Sequence, residues 1–186
     1  MAAAAGEVTC VDFWANGFGM RARIALRELG VAFRYVEEDL RVRERSELVR
    51  RMNPIHRSVP VLIHDGRMRR QWLPQHPRHP DKVLKSKGEE KAAAKEELLD
   101  QLRRLEEVLG DRTFFAGDEF GFLDAVLIPF SSMFRGYEQH DSFSIEIECP
   151  NLMQWVRRCK ERDSVRSVQD DEDKMYELHK KWYGIE

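Results

Sequence analysis

Cysteine is scarce: Cys10, Cys149 and Cys159 are the only three in 186 residues. An odd number with no paired spacing supplies neither a disulfide frame nor a metal-ligand pattern, so these read as buried or incidental thiols of a reducing compartment. A dominant charge is lacking too. The 31 Lys and Arg nearly balance the 33 Asp and Glu, for a formal net charge of −2, which gives no bulk attraction to nucleic acid or an anionic membrane. No apolar run approaches the ~20 residues of a membrane-spanning helix. Met1 to Ala5 is too short and too uncharged for a signal or transit peptide. The cytosol is the default location. What the chain has in quantity is charge, at 34% of residues, as helices with solvated faces require. Its length suffices for a substantial core in one large or two small domains.

Proline is also rare, at seven residues, and its placement is informative. Pro60 directly precedes the apolar run Val61-Leu62-Ile63. There it opens a strand where its missing N–H matters least, and its ring holds Val59 extended. If the Val59–Pro60 bond is cis, the N–H and C=O of Val59 turn outward as a short edge on which an extended peptide can lie. A trans bond entering an ordinary strand is the other reading. Upstream, Val8 to Phe13 is apolar except for Thr9 and Asp12, as in a short buried strand. Gly17-Phe18-Gly19 reads as a turn, and Met20, Ile24, Ala25 and Leu29 follow near helical spacing up to a capping Gly30. Phe33 to Val36 predicts a second strand and Ser46 to Met52 a short helix. Strand, helix, strand, helix and strand in this order predict a sheet covered by helices.

The C-terminal half predicts helices throughout. Leu98, Leu102, Leu105 and Leu109 stand four, three and four apart, an amphipathic stripe that Gly110-Asp111 ends. Asp124 sits where a capping-box carboxylate reaches back to Gly121. The run from Ala125 to Phe130 is apolar on all sides, which predicts a buried central helix, bent at Pro129. Leu152, Trp155, Val156 and Cys159 form another apolar face, and Met175, Leu178 and Trp182 a last short helix.

Taken in order, Asp12-Phe13-Trp14-Ala15-Asn16-Gly17-Phe18-Gly19-Met20-Arg21, Met52-Asn53-Pro54, Val59-Pro60-Val61-Leu62, Ser86-Lys87-Gly88-Glu89-Glu90, Gly121-Phe122-Leu123-Asp124 and Glu148-Cys149-Pro150 resemble the plant tau class of glutathione transferases. The resemblance covers nearly the whole chain except Met68 to Leu84. It implies an α/β thioredoxin-like N-terminal domain with a cis Pro60, over residues 6–67, and an all-α C-terminal domain over residues 86–186. Residues 68–85 form an atypical basic, proline-rich junction between them. The implied activity joins the thiolate of glutathione, as co-substrate, to small hydrophobic electrophiles, with no metal. A homodimer is also implied, although family dimers use the region lost here. Some of Met133, Phe134, Tyr137 and Trp182 would line the acceptor pocket; core packing is the other reading of these residues.

Departures from the pattern bear on the site. Where the family has a thiolate-stabilising serine in the turn after the first strand, this chain has Asn16, which offers an amide N–H but no hydroxyl. Asn16 is equally at home as a helix cap. A family lysine for the glycyl carboxylate falls near Arg45, in a loop that carries two extra residues. A second lysine is replaced by Ser58. Phe18 and Arg21 match positions that shape the site, and Val59 and Pro60 those that pair with the peptide. The Glu-Ser pair that holds the γ-glutamyl end is missing. In its place Pro74, Pro77 and Pro80 fall within seven residues, which forbids a helix and disrupts an inner strand. The fourth strand and third helix are therefore expected to be lost, with impaired turnover. His76 and His79 are kept off a common helix face by these prolines, so no metal site is expected. With Trp72 as its sole stacking aromatic, the basic segment makes a poor nucleic-acid surface. A non-catalytic descendant that binds hydrophobic ligands or proteins is the alternative function. A thiol oxidoreductase would need a cysteine at position 16.

Overall fold

The structure, a computed structural model, describes residues 7–69, 82–169 and 172–184. The chain divides into two compact units, Met1–Pro74 and Gln75–Glu186. Trp72, His76, His79 and the proline run lie outside the described residues, as does Met1 to Ala5.

In the first unit the elements run β1 (Val8–Asp12), α1 (Gly17–Glu28), β2 (Phe33–Glu37), α2 (Glu47–Met52), β3 (Val61–His64) and β4 (Arg67–Arg69). The sheet order is β2-β1-β3-β4. β1 is parallel to β2, with Asp12 opposite Glu37, and antiparallel to β3, with Val11 opposite Val61. Central β1 buries both faces, hence its apolar sequence. Edge strand β2 is half exposed. Val11, Val49, Val61 and Ile63 form a core cluster, flanked by Val36, Leu48, Met52, Val59 and Met68. α1 buries Gly19, Met20, Arg23 and Ile24.

Two expectations are corrected here. The fourth strand is present: Arg67-Met68-Arg69 pairs antiparallel with Leu62-Ile63-His64. Asp65 and Gly66 both adopt positive φ, 52° and 72°, the geometry of a two-residue hairpin turn. The tight turn lets a three-residue strand form before the proline run begins. Gly17 to Gly19, read as a turn, is instead the first turn of α1, since Asn16 caps it.

The second unit contains α3 (Lys82–Lys85), α4 (Glu89–Leu109), α5 (Phe122–Leu127), a 3₁₀ segment (Ile128–Met133), α6 (Phe134–Asp141), α7 (Ile145–Glu148), α8 (Pro150–Glu161), α9 (Asp163–Arg166) and α10 (Glu172–Tyr183). α4 buries Ala94, Leu99, Leu102 and Leu109, with Leu98 and Leu105 half-buried at the margin of the stripe. α8 packs Leu152, Trp155, Val156 and Cys159 inward. Glu106 of α4 accepts the main-chain N–H groups of Asn151 at 2.9 Å and Leu152 at 2.6 Å, so one helix caps the next. Asp124, fully buried, accepts three donors: Phe115 N at 3.0 Å, Gly121 N at 2.8 Å and Trp155 Nε1 at 2.7 Å. The capping carboxylate expected from sequence is thus also the anchor of the α8 tryptophan.

The run from Ala125 to Phe130 is not buried on all sides. Ile128 and Pro129 are, but Phe130 is 40% exposed, and Phe122 and Leu123 ahead of it are exposed too. Instead of bending one helix, Pro129 sits at the start of the tighter 3₁₀ segment, whose hydrogen-bond pattern tolerates the missing N–H. Phe134 and Tyr137 are buried in the core and Trp182 is 40% exposed. All three cysteines are buried and free.

Candidate functional site

The turn between β1 and α1 is built around a carboxylate. Asp12 ends β1 with no exposed surface, and a buried charge requires partners. Its Oδ1 accepts the Asn16 Nδ2–H at 2.7 Å, and its Oδ2 lies 3.4 Å from Arg23 Nε. Arg23 also donates through Nη2 to Trp14 O at 2.8 Å, tying the turn to the second turn of α1. On the β2 side the Tyr35 hydroxyl donates to the Glu37 carboxylate and contacts the Asp12 carbonyl oxygen at 3.1 Å. Burial pushes the Asp12 carboxyl up to about 7, against the opposing pull of Arg23 and the Asn16 hydrogen bond. Gly19 is required here, because a Cβ at that position would stand 1.6 Å from Asp12 Oδ2.

Asn16 is the N-cap of α1. Its Oδ1 accepts the Phe18 N–H at 3.2 Å while its main-chain oxygen accepts Met20 N–H at 2.9 Å. The positive end of the helix dipole therefore lies beside a side-chain amide. Phe18, 45% exposed, is covered by the Arg21 guanidinium 5.0 Å from its ring centroid. Partial burial lowers the pKa of Arg21.

The Val59–Pro60 peptide bond is cis, as the resemblance implied. Val59 packs against the sheet core, and its main chain makes no turn, loop or cap hydrogen bond among the described residues. Asn53, the C-cap of α2, organises the approach: Nδ2 donates to Ser58 O at 3.1 Å and Ser58 Oγ at 3.4 Å, and its carbonyl accepts Arg57 N–H at 2.8 Å. Arg57 takes φ of 49° there. Arg45 donates through Nη1 to Val42 O at 2.7 Å. Beside it Ser46 caps α2, and the buried Glu38 accepts Ser46 N–H at 2.7 Å.

Topology gathers these positions. Asp12 ends β1 opposite Glu37, which ends parallel β2, and Val59 and Pro60 precede Val61, which pairs with Val11. Asn16, Phe18, Ser58, Val59 and Pro60 thus flank one end of the sheet, and Arg45 adjoins Ser46, whose N–H is held by Glu38 one residue beyond β2. Reading the sequence missed Asp12, Arg23, Asn53 and Glu38. For Asp12 a signal existed, since a carboxylate inside an apolar strand needs a partner. For Asn53 and Glu38 the contacts arise only in the folded loop. Among the described residues no group of three or more His, Cys, Asp or Glu side chains could hold a metal ion.

A mixed four-stranded sheet with α1 and α2, a cis-proline before β3 and a helical second unit define the thioredoxin-like plus all-helical architecture. Models of the glutathione S-transferase N-terminal and C-terminal domains match residues 6–68 and 63–163. The chain is 40% identical to glutathione S-transferase U19 of Arabidopsis thaliana, over 94% of each protein, and 40% identical to glutathione S-transferase 3 of Glycine max, over 92% of this chain and 94% of the relative. Among solved structures, rice GST1 in complex with glutathione superposes with a TM-score of 0.86 at 34% identity over 98% of both chains. A tau-class enzyme from mango, Mangifera indica, shares the fold with a TM-score of 0.83 at 24% identity, over 94% of this chain and 97% of that one. The chain belongs to the glutathione S-transferase family, in its plant tau class. Its alignment to the Arabidopsis relative runs over 209 residues, more than the 186 present here, so part of that relative has no counterpart in this chain.

Proposed function

We propose that the protein binds glutathione as co-substrate and adds its thiolate to small hydrophobic electrophiles, more slowly than a relative with serine in the turn. Only a small fraction of a free thiol is ionised at neutral pH, so the site must favour the anion. The observation that carries the reading is the N-terminus of α1, where Asn16 adds a side-chain N–H to the positive end of a helix. In this reading Val59 pairs with the peptide main chain beside Pro60, and Arg45 and Ser58 receive the glycyl carboxylate. Phe18 and Arg21 shape the wall next to Asn16. The thiolate attacks the electrophilic carbon, and the leaving group departs with the bonding pair. A cytosolic location and a homodimer belong to the same proposal and rest on the family alone.

One observation favours the non-catalytic reading, in which the chain binds hydrophobic ligands or proteins. Both ends of the Asn16 amide are already engaged, Oδ1 by Phe18 N–H and Nδ2 by Asp12, which leaves one N–H for sulfur. Calorimetric titration with glutathione and a conjugation assay with an activated aryl halide separate the two. We expect saturable binding with slow turnover, and Asn16→Ser to raise kcat about tenfold, well within what one donor to a developing anion is worth. Binding without turnover in both proteins favours the non-catalytic reading, and absence of binding removes the transferase assignment.

A further inference from the structure

Asp12 has no role in the reaction just described, yet it reaches the reaction's key side chain. The carboxylate is wholly buried and divides its oxygens between Asn16 Nδ2 at 2.7 Å and Arg23 Nε, which stands 3.4 Å away without hydrogen-bond geometry. The remaining titratable groups around it are Tyr35 and Glu37 on β2 and Cys10 on β1. The Asn16 amide is therefore oriented twice over. Reversing it would set a carbonyl oxygen against the Asp12 carboxylate and an NH₂ against the Phe18 N–H. Both contacts select the same orientation, and together they fix the direction of the second Nδ2 proton.

We infer that Asp12 is a positioning residue for Asn16: the ionised carboxylate anchors one amide proton and thereby aims the other at the open end of α1, and protonation of Asp12 weakens that anchor and leaves the Phe18 N–H as the charge-independent hold. The consequence for catalysis rests on the thiolate role proposed for Asn16, whereas the coupling belongs to the protein without substrate. Burial places the transition close to neutrality, with the Asp12 carboxyl pushed up to about 7. Above that pH Asn16 is held by a charge-assisted hydrogen bond; below it a neutral Asp12 offers only a weaker neutral acceptor, and the amide rests mainly on the Phe18 N–H.

The Asn16 side-chain amide, followed by ¹⁵N-correlated NMR in the glutathione-free protein across the neutral range, provides the test. Both Nδ2 protons should shift with the midpoint of Asp12, near 7, and stop titrating in Asp12→Asn, whose amide oxygen still accepts but does not ionise. A second variant reads the coupling from the other side: in Asn16→Ala the Asp12 carboxyl, observed by ¹³C, should titrate at higher pH, since a hydrogen bond to the ionised form is lost. A flat Asn16 amide in the parent, or an Asp12 midpoint unmoved by Asn16→Ala, overturns the inference. In turnover, Asp12→Ala should lower kcat about tenfold with KM for glutathione unchanged, the scale of one hydrogen bond to a charged group. If the amide titrates as expected but glutathione does not bind, the thiolate role fails and the Asp12–Asn16 coupling stands.

Discussion

At the scale of single residues, the first unit is organised by a charge placed where charges are least welcome. Asp12 is tolerated because Asn16, Arg23 and the missing side chain of Gly19 make room for it together. Gly19→Ala forces a methyl group into the carboxylate, 1.6 Å from Oδ2, and displaces it from both partners. We expect a loss of about 3–5 kcal/mol, the cost of breaking a buried charge pair, read as a lower urea midpoint; a stability within 1 kcal/mol of the parent (roughly the scatter of surface substitutions) would contradict the packing described. His179 presents the opposite case, a buried base kept neutral. It is 2% exposed, its Nδ1 has no hydrogen-bond partner, and burial lowers its pKa from 6.5 to about 4. Above pH 6.5 neither folded nor unfolded chain is protonated at this residue. As pH falls from 6.5 towards 4, the unfolded chain takes up a proton that the folded one refuses, so stability drops, by on the order of 3 kcal/mol over the window. Denaturation midpoints in His179→Phe should fall less steeply with acid than in the parent.

Elements form where residue-level choices agree, and the exceptions are instructive. β1, α1, β2, α2 and β3 are legible because their apolar residues recur at strand or helix spacing, and α4 and α8 because their stripes are long. β4 is masked in the sequence by the prolines that follow it. Its own signal, Asp65-Gly66 followed by alternating Arg67-Met68-Arg69, is a hairpin signature. The start of α1 was obscured because glycines normally mark turns, and only the folded structure shows Gly19 making way for Asp12. The exposure of Phe130 is not legible because apolar composition does not specify which face of a 3₁₀ segment meets solvent. Asn16 as a cap was legible; its second partner was not, since Asp12 lies four residues back across a turn. Between elements, Asp124 links the loop at Phe115, the start of α5 and the indole of α8. Asp124→Ala leaves the buried Phe115 N–H and Trp155 indole N–H unsatisfied, each worth about 1–3 kcal/mol, and frees the partly buried Gly121 N–H as well. Glu106→Ala removes acceptors from the partly exposed start of α8, a capping loss of about 1–2 kcal/mol. The first variant should therefore lower the denaturation midpoint more than the second; the reverse order would show that Asp124 is not the anchor its contacts describe.

For the whole molecule, each unit draws on its own core. The first rests on short strands, with Val11, Val49, Val61 and Ile63 packed against each other and Met20 and Ile24 buried on α1. The second buries faces of α4, α8 and α10 and is pinned by Asp124 and Glu106. Small cores leave less free energy against local opening, so amide hydrogen exchange should be faster in β1 and β3 than in the middle of α4 and α8. Ligand shifts that balance only where it binds and only for the folded form. If glutathione lies at the α1 N-terminus and Val59, saturation at a hundred times Kd should slow exchange in β1, α1 and β3 by up to about 2.7 kcal/mol in opening free energy. Exchange in α8 should respond less. Equal slowing in both units would mean that opening is global, and no slowing in β1 or β3 would mean that the tripeptide does not engage this end of the sheet.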